Sequence, residues 1–210
     1  MRAISKGKEP RSLVEHRSSS YADYDNYTGK DALRASITAE QRGLCCYCLS
    51  RIPGERGMKI EHWRSQHYYR ARQLDYSNLL GACLGNEGPP AGSQHCDTRK
   101  GDRELSRCPA DPGDRVEDLI RYRGDGSITS IDSNFDRELN EVLNLNETRL
   151  RENRKATLDA FVRALPKSGR LNDAKLKRWL RFWNGELDTN DLQPFCQVVI
   201  YWLRKRLARN

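Results

Sequence analysis

The chain has 210 residues, 37 of them Lys or Arg against 29 Asp or Glu, for a formal net charge of +8 and a pI of 9.2. That length suits one compact unit with an elaboration, and that charge favours polyanionic partners such as nucleic acid. A membrane span is excluded, because the longest apolar run, Phe195 to Leu203, is broken by Gln197 and falls far short of the roughly 20 residues required.

The first ten residues hold Arg2, Lys6 and Lys8 but no apolar stretch, so no secretory signal is read there and a reducing cytoplasm is the expected compartment. Cys45, Cys46 and Cys48 follow within four residues, out of seven cysteines in all. An odd count in a reducing compartment argues against a disulfide framework, and the C-x-x-C spacing argues for a metal knuckle. Gly85, Gly88, Pro89, Pro90 and Gly92 make the segment from Leu84 to Gln94 an exposed loop. Leu119 to Tyr122 and Ser127 to Ile131 flank Arg123-Gly124-Asp125-Gly126, which predicts a hairpin.

Beyond residue 135 the pattern turns helical. Leu139, Val142, Leu143, Leu150, Leu158, Phe161 and Leu165 recur at helical spacing, and Leu176, Trp179, Leu180 and Trp183 do so again. Gly169 and Gly185 punctuate this part. Asn172 with Asp173 can cap the helix that runs to Trp183, and Asp191 can open the last helix, with Pro194 near its first turn. The basic excess is concentrated here, with 16 basic against 10 acidic residues after position 135 and 21 against 19 before it. Lys175, Lys177, Arg178 and Arg181 fall on one expected helix, and Arg204, Lys205, Arg206 and Arg209 end another. Such runs are usually solvated faces, with nucleic-acid contact as the rival use. Trp179, Trp183 and Trp202 are read as core, or as part of a docking surface.

The chemistry-bearing stretch runs from Cys45 to Lys100. Two thiolates spaced as Cys45 and Cys48 suit tetrahedral zinc, and a second pair must close the site. Cys83 and Cys96 flank the Gly/Pro loop and are the leading candidates, with Cys108 and His95 in reserve. Ile60-Glu61-His62-Trp63 lies between the two pairs, Asn78-Leu79-Leu80 follows, and Asp97, Arg99 and Lys100 come directly after Cys96. His62 is suited to general-base work because its side chain titrates near neutrality. Glu61 and Asp97 offer hard oxygen donors of the kind that Mg²⁺ or Mn²⁺ prefers.

This order of elements resembles the HNH nuclease signature of the ββα-metal fold. Over nearly the whole chain, Ile4-Ser5-Lys6-Gly7-Lys8-Glu9-Pro10, Gly43-Leu44-Cys45-Cys46-Tyr47-Cys48 and Leu143-Asn144-Leu145-Asn146 with Arg151 and Arg154 resemble the PtuB-type nuclease subunits of Septu and retron-associated anti-phage systems. The resemblance implies an α+β chain: an N-terminal arm over 1–37, a zinc-stabilised HNH nuclease module over 38–135 and a helical region over 136–210. It gives Glu61 and Asp97 the catalytic Mg²⁺ or Mn²⁺, and Cys45, Cys48, Cys83 and Cys96 the structural zinc. His62 is then the base and Asn78 the residue that bonds across the loop to orient it, with Arg99 and Lys100 as phosphate contacts. The implied substrate is DNA or structured RNA. The implied partners are a PtuA-like ATPase and, in retron systems, a reverse transcriptase with its msDNA; the helical region is expected to dock the ATPase, with the arm from Met1 to Thr28 as the rival tether, and to be dispensable for the zinc site. The alternative is a non-catalytic zinc-binding nucleic-acid or adaptor module, in which Glu61 is a strand-end carboxylate, Asp97 caps a helix and Asn78 is a turn residue.

Overall fold

The computed structural model describes residues 1–54, 57–166, 172–187 and 191–209; Gly169 lies outside them. Helices α1 (Arg11–Arg17) and α2 (Lys30–Gln41) come first. In α2, Leu33, Ile37 and Gln41 recur every four residues and all face inward. The helix stops where Arg42 and Gly43 turn left-handed, at φ 50° and 74°, with the Gly43 amide donating back to the Thr38 carbonyl at 3.0 Å. Glycine is the residue that adopts such a turn without steric cost.

Strands β1 (Met58–His62) and β2 (Leu79–Cys83) pair antiparallel, with His62 opposite Leu79 and Met58 opposite Cys83. β2 is buried along its whole length, so its second edge needs partners other than water. Gln41 supplies them. Its side-chain amide donates to the Gly81 carbonyl at 2.8 Å, and its oxygen accepts from the Gly81 amide at 2.7 Å. The Cys46 amide adds a bond to the same carbonyl at 2.9 Å. Helix α3 (Cys96–Lys100) then packs on β2, and two strands followed by a short helix complete a ββα arrangement.

After α4 (Val116–Leu119), strands β3 (Ile120–Tyr122) and β4 (Ile128–Ser130) form the expected hairpin. Helix α5 (Ser133–Arg137) runs on through a wide turn at Glu138–Val142. α6 (Thr148–Arg163), α7 (Asp173–Trp183) and α8 (Cys196–Leu207) complete the chain. α7 starts as its sequence predicts, with the Asn172 side chain accepting from the Lys175 amide at 3.0 Å. α8 does not: it begins at Cys196 after a left-handed Phe195, and Asp191 pairs with Arg51 at 2.9 Å. The amides of Leu192 and Phe195 are taken by the carbonyls of Arg42 and Leu49, so tertiary bonds to the knuckle hold residues 191–195 out of the helix.

The largest core runs from Met1, Ile4 and Leu13 through the cysteines and β2 to Leu139, Leu143, Leu145 and Phe195. Residues of the segment 1–37 lie against this core, with the Ile4 amide on the Pro109 carbonyl at 2.8 Å. A second cluster gathers Phe161, Leu176, Val198, Val199 and Leu203, with Trp179, Trp183 and Trp202 partly buried against it. The three indoles stand edge-on to Phe161 with centroids 5.7 to 5.9 Å away, so they are packing residues. The lysines and arginines of α7 remain on its exposed face. Among the described residues, no helix is long and apolar enough to cross a membrane.

Candidate metal centre and the adjoining acidic site

The four cysteines singled out by spacing converge. Cys45 and Cys48 stand on a tight turn closed by the Cys45 amide on the Ser50 carbonyl at 3.0 Å and the Leu49 amide on the Cys45 carbonyl at 3.1 Å. Cys83 is the last residue of β2, and Cys96 the first of α3. The intervening loop closes where the His95 amide meets the Gly85 carbonyl at 3.0 Å, and the Cys96 amide is held by the Leu143 carbonyl at 2.9 Å.

All four sulfurs lie within 4.8 Å of one another, and all four side chains are buried. Cys45 to Cys96 is 3.9 Å and Cys48 to Cys83 is 3.8 Å. Zinc–sulfur bonds of about 2.3 Å in a tetrahedron put sulfurs about 3.8 Å apart, so the donor set fits a metal ion such as zinc. Burial opposes ionisation of Cys45, but the neighbouring thiols aimed at it hold it well below the ordinary cysteine range. Contacts with Cys45 and Cys48 push Cys83 up, and burial followed by the same contacts pushes Cys96 up. Further ionisation in so dry a cluster requires a cation.

The reserve ligands stay outside the cluster. His95 Nδ1 lies 3.2 Å from the Cys96 sulfur, a contact around the site, not within it. The Cys108 amide bonds Asp114 at 2.6 Å. Cys46 is buried in the core beside the knuckle, its thiol pushed up by burial.

Glu61 and His62 end β1 beside this cluster. Glu61 is 3% exposed. Its Oε1 accepts from the Tyr47 hydroxyl at 2.7 Å and pairs with Lys100 Nζ at 2.7 Å. The Asp97 carboxyl is also in contact. Burial first, and then the hydrogen bond and charge of Asp97, hold Glu61 well above the usual carboxylate range, with Lys100 opposing. The structure thus brings Glu61 and Asp97 together.

His62 is half-buried, and its Nε2 lies 3.0 Å from the Gln73 carbonyl oxygen. A carbonyl only accepts, so Nε2 carries the proton and Nδ1 keeps the lone pair. The edge of the Tyr24–His62 pair closes one side, with ring centroids 4.4 Å apart. Burial holds the imidazole below its ordinary pKa, which favours the neutral form.

Asn78 is 1% exposed and bonds across the β1–β2 connection, as expected, but its side-chain hydrogen bonds go to Arg64 and Arg72 and not to His62. Its oxygen accepts from the Arg64 amide at 2.7 Å, and its nitrogen donates to the carbonyls of Arg64 and Arg72 at 3.0 and 3.2 Å. It therefore fixes the segment whose next residue, Gln73, holds His62. Lys100 corrects the expectation of a phosphate contact: at 2% exposure it is spent on Glu61. Arg99 is half-buried and donates to the Ala91 carbonyl at 2.9 Å, over the Gly/Pro loop.

Tyr47 and Gln73 were not legible as site residues. Tyr47 reads as a spacer within C-x-x-C, and Gln73 contributes a backbone carbonyl, which any residue carries. Comparison with protein-family models and with curated proteins returns no match.

Proposed function

We propose that this chain is a metal-dependent endonuclease of the HNH type, stabilised by zinc at Cys45, Cys48, Cys83 and Cys96. The observation that carries the reading is the meeting, at the end of β1, of Glu61 with Asp97 and of His62 Nε2 with a carbonyl, within a ββα unit. Glu61 and Asp97 would hold Mg²⁺ or Mn²⁺, which when bound offsets charge on the phosphate and on the leaving oxygen. His62 Nδ1 takes a proton from water as the water oxygen bonds to phosphorus and the P–O bond to the leaving oxygen breaks. The Gln73 carbonyl keeps the proton on Nε2 and so keeps Nδ1 basic. The resemblance of the opening segment and of Leu143 to Asn146 extends the proposal to an effector that works with an ATPase in anti-phage defence.

A second reading, a zinc-stabilised nucleic-acid-binding module, is favoured by the burial of Glu61 against Lys100. Cleavage of DNA and RNA with Mg²⁺ or Mn²⁺ separates the two. His62→Ala is expected to lose about 10² or more in rate while keeping zinc, fold and nucleic-acid binding. A folded His62→Ala chain that cuts at the wild-type rate would leave the binding module standing.

A further inference from the structure

Lys100 is a deeply buried charge that the proposed chemistry does not use. Its side chain is 1% exposed, and its Nζ has three partners: Glu61 Oε1 at 2.7 Å, the His62 carbonyl at 3.3 Å and the Gly101 carbonyl at 3.5 Å. A buried ammonium is retained only against opposite charge. Here that charge belongs to the carboxylate that is also the candidate cation ligand. Tyr47 donates to the same oxygen, so Oε1 is taken twice, and the half-buried Asp97 carboxyl bonds the same Glu61 side chain; an incoming ion would be held between these two carboxyl groups.

With a divalent cation bound, both carboxylates are ionised and together match its charge. Lys100 returns a positive charge, so a site holding the cation is in excess by one until an anion joins it, and in a dry site that excess is costly. A phosphodiester carries the single negative charge that is missing. We propose that Lys100 is a resident counter-cation that makes divalent-metal binding at Glu61 and Asp97 conditional on the phosphate of the nucleic acid being cut. The proposal rests on the nuclease reading above. Linkage requires the effect to be reciprocal, with nucleic acid tightening metal binding by the factor by which metal tightens nucleic-acid binding.

The test measures Mn²⁺ binding by electron paramagnetic resonance on the full, zinc-replete chain carrying His62→Ala, with and without an oligonucleotide that the wild-type chain cuts. The oligonucleotide is expected to tighten Mn²⁺ by about tenfold or more. Adding Lys100→Gln is expected to tighten Mn²⁺ by a similar factor without the oligonucleotide, and to erase most of the oligonucleotide's effect. Mn²⁺ affinity indifferent to the oligonucleotide, or no tighter in the folded Lys100→Gln chain, overturns the proposal. Should Lys100→Gln lose zinc, the oligonucleotide dependence of the Lys100-bearing chain decides alone: its presence supports the proposal and its absence overturns it. A wild-type chain that cuts nothing with any divalent ion removes the nuclease reading and this inference with it, whereas one that cuts without such linkage removes only the inference.

Discussion

Cys48 illustrates what a single atom contributes. Its sulfur lies 3.8 Å from that of Cys83 and 3.1 Å from the Ser50 hydroxyl. Serine there replaces a thiolate donor by a poor one and leaves three sulfurs in a site whose chemistry asks for four. Because metal binding and folding of such a site are one equilibrium, Cys48→Ser is expected to unfold the ββα region rather than merely weaken the site. Elemental analysis should find about one zinc per wild-type chain and far less in the variant, with a lower melting temperature. A native-like, fully folded chain without zinc would refute the coordination. Asn78 makes the contrasting case, since its role is carried by three hydrogen bonds at a buried position. Asn78→Ala leaves the Arg64 and Arg72 groups unpaired and is expected to cost about 2–4 kcal/mol, measured by denaturant unfolding. His62→Ala should leave stability nearly unchanged by comparison, so the two variants separate positioning from chemistry.

At the scale of elements, the loop joining β2 to α3 decides whether Cys83 and Cys96 face one ion. Gly85 sits at φ 59°, and a Cβ there would lie 2.2 Å from the His95 carbonyl oxygen. Gly85→Ala must therefore both adopt a strained backbone and push residue 95 away. The expected result is zinc held at least about tenfold more weakly in chelator competition. Unchanged affinity would show that the loop does not set the sulfur geometry. The elements that were readable in advance are those fixed by neighbours in sequence. The Arg123–Gly126 turn closes through bonds between residues 123, 126 and 127, and Asn172 caps α7 from three residues away. The thiol quartet was readable because C-x-x-C and a closed loop each impose proximity. The start of α8 was not, because Arg42, Leu49 and Arg51 determine it from across the molecule. Lys100 was misread for the same reason: a lysine beside a candidate site looks like a phosphate contact until Glu61 is seen to claim it.

For the whole molecule, the question is whether the C-terminal helices are an appendage. Sequence alone suggested that a chain ending at Asn134 would keep its zinc site and lose only a docking surface. The packing argues otherwise. The Cys96 amide bonds the Leu143 carbonyl, and the Asn144 side chain donates to the carbonyls of Gly92 and Gln94 at 3.0 and 2.9 Å, pinning the loop that leads to Cys96. Asn146 clips β4 through both the amide and the carbonyl of Ile128 at 2.9 Å, and the buried Arg154 guanidinium ties Gly126 to Leu145. Leu139, Leu143 and Leu145 belong to the same core as the cysteines, and Leu44 and Leu49 of the knuckle pack on Leu192, Cys196 and Ile200. Burying each such side chain is worth about 1.5–3 kcal/mol, so losing this set is comparable with the whole net stability of a typical domain, about 5–15 kcal/mol. Truncation after Asn134 is thus expected to abolish zinc binding and cooperative unfolding together, which elemental analysis and a melting curve would show. A truncated chain that melts cooperatively with one bound zinc would establish that residues up to 134 form an autonomous unit and that the later contacts are accessory.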